Sequence, residues 1–144
     1  MIVKKLDIKN FRNIVNLTVK FDNNINLIYG DNAQGKTNLI EAIYFSSVLK
    51  SFRSKKNDNL INKNSKRLFL NTCILNNKVN NDIKINLEKN NIKRISVDNK
   101  KVNTNEFYKI LNCIIYYPDE ISYLKFYPEY RRNHIDKSIF YIEN

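Results

Sequence analysis

The sequence predicts an α/β fold, a mixed sheet with an antiparallel meander followed by the start of a helical subdomain, and three features carry that expectation. An apolar run at residues 25–29 leads through Gly30-Asp31-Asn32-Ala33-Gln34-Gly35-Lys36-Thr37 into residues at helical spacing, the order strand, loop, helix. Three runs between residues 68 and 97 alternate apolar and polar side chains and are separated by Asn-rich turns. Ile135, Ile139 and Ile142 recur at helical intervals behind Pro128, which suits a first helical position.

Residues 2–8 read as a first strand with Leu6 and Ile8 on one face, and Val15, Leu17, Val19 and Phe21 alternate as a second, joined through residues 10–13. Asp22-Asn23-Asn24 turns the chain into residues 25–29, whose mostly apolar run predicts a buried central strand. Leu39, Ile40, Ala42, Ile43, Val48 and Leu49 then predict one amphipathic helix over 37–49. Residues 50–67 show no period and predict a loop with some irregular helix. Residues 68–75, 83–87 and 92–97 form the meander, and Asn76-Asn77, Lys89-Asn90-Asn91 and Asp98-Asn99 separate or close its strands. Thr104 is placed to cap a short helix through Leu111, and residues 113–117 read as a further strand stopped by Pro118. This divides the chain into a lobe at 1–117 and the start of a helical subdomain at 118–144.

Gly30 and Gly35 are the only 2 glycines of the chain, and both fall in one G-x-x-x-x-G-K-T stretch. Glycine is needed where backbone bends sharply or approaches a ligand, because it has no Cβ to clash. The spacing is that of a phosphate-binding P-loop, in which backbone N–H groups and a helix N-terminus face an anion. On this reading Gly30, Asp31, Asn32, Ala33, Gln34, Gly35, Lys36 and Thr37 cradle the phosphates of a nucleotide. Lys36 is the catalytic cation that reaches the β- and γ-phosphates, and the Thr37 hydroxyl is a ligand of Mg²⁺. The plain alternative is a glycine pair in an ordinary turn, which the strand before and the helix after argue against.

Lys and Arg number 25 against 14 Asp and Glu, a formal charge of +11, so the field favours a polyanionic partner, nucleic acid or an acidic membrane surface. Composition bias toward Asn, Lys and Ile is the competing explanation of the total. Clustering is more informative: Lys50, Arg53, Lys55, Lys56, Lys63, Lys66 and Arg67 face a single acid, Asp58, within residues 50–67, although a solvated loop would also look like this. Cys73 and Cys113 make no C-x-x-C pair, which points away from zinc and disulfides. Neither a leader nor an apolar run of spanning length is present, so the expected location is cytoplasmic, with no membrane partner.

The residues of the loop also carry a family likeness. Residues 30–44, with Asn-Ala-Gln before Gly35 and Asn38-Leu39-Ile40-Glu41-Ala42 behind Thr37, resemble the Walker A segment of the RecF family, whose heads are of the ABC type. Residues 6–13, 118–121 and 128–136 resemble three further blocks of that family, while Phe126, Tyr127 and His134 depart from its pattern. The resemblance implies the N-terminal part of an ABC-type P-loop ATPase head. It also implies a mediator of recombination and repair that binds ATP and Mg²⁺, pairs as an ATP-dependent homodimer on single-stranded and gapped duplex DNA, and works with recombination mediator proteins in gap repair and replication restart.

Arg12 follows the first strand and is a candidate to lie near the nucleotide, and Arg53, in Ser51-Phe52-Arg53-Ser54, resembles an arginine after the Walker A helix that serves nucleotide sensing or DNA contact in related heads; the competing reading for each is a surface arginine. Arg131 and Arg132 are candidates for pairing with acids elsewhere in the protein, and His134 reads as a partly buried helix residue. Residues 114–120 look like an apolar strand ending in Asp119-Glu120, as in a Walker B motif, but Pro118 interrupts the strand before the acids and the block more closely resembles another segment of the family. The family's signature motif needs glycines that this chain does not have, so the expectation is an N-terminal portion of a longer ATPase, hydrolysis belonging to the full-length protein. Rival readings are a DNA-binding module without nucleotide turnover, another SMC-like ATPase head, and a guanine-nucleotide switch using Asn62-Lys63-Asn64-Ser65.

Overall fold

Alternation along β1 (Ile2–Phe11) puts Leu6 and Ile8 on one face and Lys5, Asp7 and Lys9 on the other. The computed structural model describes residues 1–108 and 110–117, together with 128, 129, 131, 132, 135 and 136. β1 pairs antiparallel with β2 (Ile14–Lys20) on one side and with β3 (Arg67–Asn76) on the other. β4 (Val79–Glu88), β5 (Ile92–Val97) and the two-residue β6 (Lys100–Lys101) extend the meander, giving a six-stranded sheet in the order β2-β1-β3-β4-β5-β6. Asn77 and Lys78, with φ of 47° and 67°, and Asp98 and Asn99, with φ of 50° and 64°, close the β3–β4 and β5–β6 hairpins in the left-handed conformation that matches strand twist.

One face of this sheet is covered by α1 (Lys36–Val48). Leu39, Ala42, Phe45 and the following Leu49 on the helix meet Leu68, Leu70 and Ile74 of β3, Ile83, Ile85 and Leu87 of β4, and Leu6, Ile8 and Phe11 of β1 in one buried cluster. The Phe11 and Phe45 rings lie 6.5 Å apart at 57°, a tilted aromatic pair. Thr72 donates to Ser46 Oγ across 2.8 Å, which satisfies two hydroxyls buried between β3 and α1. Residues 50–66 are irregular apart from a 3₁₀ turn at Asn57–Leu60, whose Leu60 is buried, and a single bridge from Ile61 to Phe11. α2 (Thr104–Phe107) is shorter than the sequence implies. Its cap is Asn103, not Thr104: the Asn103 side chain accepts from the Glu106 amide and Glu106 reciprocates, a capping box.

Several expectations are corrected. Phe11 belongs to the strand and the core, and Val15 faces outward although Leu17 and Val19 are partly buried. Ile40 of the helix is exposed, whereas Glu41, Ser46 and Ser47 are buried, so α1 is enclosed on more than one apolar stripe. Residues 25–29 form no strand, and Ile25, Leu27 and Tyr29 are 90%, 82% and 86% exposed. The expected turn at 22–24 is present, with Asp22 Oδ1 accepting from the Asn24 amide and Asn26 bonding both to the Asp22 amide and its carbonyl. Every ladder among the described residues is antiparallel. The parallel component of a mixed sheet rested on residues 25–29, which have no neighbouring strand to supply ladder hydrogen bonds. Residues 113–117 likewise carry no ladder.

Contacts divide the chain into the units Met1–Cys113 and Ile114–Asn144. In the second unit residues 128, 129, 131, 132, 135 and 136 are helical, and Arg131 and Arg132 are exposed. Asp119, Glu120, Phe126, Tyr127, His134, Ile139 and Ile142 lie outside the described residues. The Cys73 and Cys113 thiols are each pushed above the ordinary thiol value first by burial, with Asp82 adding to the effect at Cys73.

Candidate phosphate-binding site

The loop between residues 30 and 35 bends through three left-handed positions: Gly30 at φ 142°, Ala33 at 66° and Gly35 at 95°. Glycine suits position 35 for its conformation, since a φ of 95° strains any other side chain, and an added Cβ would also sit a tight 3.2 Å from Asn13 Oδ1. α1 starts directly behind it. Its N-cap, Gly35, offers no side-chain acceptor, and the first turn carries no acid. An uncapped helix start leaves N–H groups that an anion can satisfy, and the helix dipole adds partial positive charge at the same point.

Lys36 lies across the loop mouth, where its Nζ donates to the Gly30 and Asp31 carbonyls at 2.7 and 2.6 Å. An ammonium has three donors, so one remains for a phosphate oxygen. Thr37 is the next residue and is exposed, with its hydroxyl available to a cation. Among the described residues no cluster of three His, Cys, Asp or Glu side chains is arranged to hold a metal alone, so Mg²⁺ would depend on Thr37 together with phosphate oxygens and water. These residues fit a nucleotide phosphate chain: the strained glycine turn, the open helix start and the cation converge on one small region.

Arg12 and Arg53 are brought together, though by a residue the sequence did not single out. Glu41 is fully buried on α1; Arg12 Nε and Nη2 donate to its Oε2 and Oε1 at 3.0 and 2.7 Å, a bidentate pair. Ser51 Oγ donates to Oε1 at 2.5 Å, and Arg53 Nη1 sits 3.8 Å from Oε2 while donating to Asn38 Oδ1 at 2.9 Å. The Asn38 amide in turn donates to Asn13 Oδ1 at 2.7 Å, and the Asn13 amide to the Ala33 carbonyl at 3.2 Å. A continuous polar chain therefore runs from Arg53 to the phosphate loop. Arg12, at φ 54°, is locked by Glu41, by its amide on the Leu60 carbonyl and by Asn62 on its own carbonyl, whereas Arg53 is half exposed.

Asn13, Asn38 and Glu41 are the residues that sequence reasoning missed. One signal for Glu41 was available: it is the only acid between Asp31 and Asp58, in a stretch that carries Lys36, Lys50, Arg53, Lys55 and Lys56. Asn13 and Asn38 gave none, since asparagine is common throughout this chain.

A glycine loop at the open start of a helix packed on a sheet defines a P-loop nucleotide-binding lobe. The chain belongs to the AAA domain family, whose sequence profile matches residues 5–137. Within that family its likeness is to RecF. It is 39% identical over 137 residues to the DNA replication and repair protein RecF of Clostridium kluyveri, which covers 94% of this chain and 38% of that protein. It is 34% identical over 140 residues to RecF of Lachnoclostridium phytofermentans, covering 96% and 39%. The chain thus spans under two fifths of the length of these relatives.

Among solved structures, the recombination mediator protein RecF-ATP of the RecFOR pathway superposes with a TM-score of 0.86 at 31% identity, over 94% of this chain and 37% of that one. A chain described under ATP-driven dimerization and DNA-stimulated activation of SMC ATPases gives 0.77 at 20% identity, over 94% and 98%, a likeness of fold alone. The fold is therefore that of the N-terminal part of an ABC-type ATPase head. Among the described residues no helix is long and apolar enough to cross a membrane.

Proposed function

We propose that this chain is the Walker A lobe of a RecF-type ATPase in DNA repair, binding ATP with Mg²⁺ through Gly30 to Thr37. The observation that carries the reading is the open N-terminus of α1 behind Gly35, with Lys36 lying over the loop that precedes it. ATP would supply the negative charge that these groups lack. Lys36 neutralises charge on the terminal phosphates, the loop amides fix the chain of phosphates in place, and Thr37 holds the metal, so the work of this lobe is positioning and charge compensation.

The polar chain from Asn13 through Asn38 to Arg53 supports a sensing role, because a shift of the loop is transmitted to the guanidinium by hydrogen bonds alone. In the whole protein, ATP pairs two heads into a homodimer that holds single-stranded or gapped duplex DNA and engages recombination mediator proteins. Its place of action is the cytoplasm, and its processes are gap repair and replication restart. Lys36→Ala in the full-length protein removes measurable ATP affinity in a nucleotide titration; unchanged affinity would overturn the site.

A further inference from the structure

The face of the sheet opposite α1 is polar at most positions, and Phe69 stands apart on it. β3 alternates strictly, with Leu68 and Leu70 buried, so Phe69 points away from the core and takes no part in the apolar cluster. On the strands it is the one aromatic residue of that face among the described residues. The ladder sets Lys9 opposite Phe69, Phe69 opposite Asn86 and Asn86 opposite Arg94, so an ammonium, a ring, an amide and a guanidinium stand in a row across four strands.

Lys9, Asn10, Arg67, Leu68, Phe69 and Asn86 line a shallow depression of about 390 Å³. A second of about 420 Å³, sharing Asn10 and Arg67, adds Ser65, Lys66 and Glu88. Among the described residues, Lys9, Lys66 and Arg67 are exposed and in no ion pair, whereas Glu88, the acid of the second depression, is paired with Arg94 at 3.3 Å. The place is therefore a cationic hollow with a ring in it and its nearby acid already compensated.

We propose that this hollow binds single-stranded DNA, one base stacking on Phe69 while Lys9, Lys66 and Arg67 hold the flanking phosphates. The charge favours an anion, and the half-buried ring, which lines the depression, offers it a planar face to stack on. A duplex buries its base faces against one another, whereas a single strand presents both phosphate and base face to such a surface. Asn10, Asn86 and Ser65 add donors and acceptors without fixing a sequence, so recognition is tolerant of base identity. The inference rests on the DNA-repair reading above and adds a surface separate from the phosphate loop.

A fluorescent oligothymidine titrated against the full-length protein with ATP tests it. Phe69→Ala weakens binding by about tenfold while Phe69→Trp retains it. Lys9→Gln and Arg67→Gln each weaken binding and reduce the slope of log affinity against log salt by about 0.7. ATP affinity stays unchanged in all four, which also shows that they fold; if Phe69→Ala loses ATP affinity, the two charge variants carry the test. Equal oligothymidine affinity for Phe69→Ala and the wild type overturns the inference, as does Phe69→Leu binding as tightly as Phe69→Trp, or displacement of the oligonucleotide by free thymidine monophosphate at equal nucleotide concentration. Each of those results leaves the nucleotide site standing, since that site is judged separately by Lys36→Ala.

Discussion

Glu41 is a charge with no access to water, and Arg12 is what makes this tolerable. A carboxylate enclosed in apolar surroundings is costly unless each oxygen is paired, and here both are, by the Arg12 fork and by Ser51. The two arginines around it contribute unequally. Arg12 is 21% exposed and bidentate, whereas Arg53 is 48% exposed and 3.8 Å away, within the range where solvent leaves an ion pair worth under about 1 kcal/mol. Glu41→Ala, which strands the Arg12 guanidinium, should cost about 3–5 kcal/mol in chemical denaturation. Against the 5–15 kcal/mol typical of a whole domain, that loss removes a large share of the stability. Arg53→Ala should cost under about 1 kcal/mol and act on nucleotide or DNA binding instead. Equal destabilisation by the two would mean that Glu41 is held mainly by something other than Arg12.

The strands of the meander were legible because their signal is local. β3, β4 and β5 each alternate over their own length, and the turns between them contain the Asn and Asp residues that tolerate positive φ. Helix α1 was placed to within a residue at either end for the same reason. The residues at 25–29 are as apolar as any strand here, yet alternation and hydrophobicity report only what a segment can bury, not whether a neighbour exists to cover it. The Glu41 pair was illegible because Arg12 lies 29 positions away, on a turn whose approach to the helix depends on how β1 and β2 pack.

The distinction has a measurable consequence at two leucines. Leu70 is fully buried on β3, so Leu70→Ala should cost about 2–5 kcal/mol through lost burial and the cavity left behind. Leu27 is 82% exposed, and in this 144-residue chain Leu27→Ala should change stability by less than about 0.5 kcal/mol. A cost at Leu27 approaching that at Leu70 in urea titrations would show residues 25–29 packed against a further element.

A formal charge of +11 sets how the whole molecule responds to acid, since every carboxylate protonated adds to an excess already present. Among the described residues, two carboxylates are held below the ordinary value of 3.8. Asp98 is lowered by the Asn81 side chain and the Asp82 amide, both at 2.8 Å, and these bonds tie the β5–β6 turn to β4. For Asp7, burial pushes upward, but hydrogen bonds from Lys5, Thr18 and Asn71 outweigh it. A carboxyl whose folded pKa is depressed contributes stability that is complete above 3.8 and is lost as the pH falls from there through the folded value, because the unfolded chain then binds more protons. The melting temperature should therefore hold nearly level from about pH 7 to about pH 5 and drop steeply below pH 4. Asp98→Asn should lower it at neutral pH and make the acid limb shallower, so that variant and wild type converge at the lowest pH. Circular-dichroism melts across this range decide the matter: curves that stay parallel would mean the Asp98 carboxylate gains nothing from Asn81 and the Asp82 amide that it does not also have in the unfolded chain.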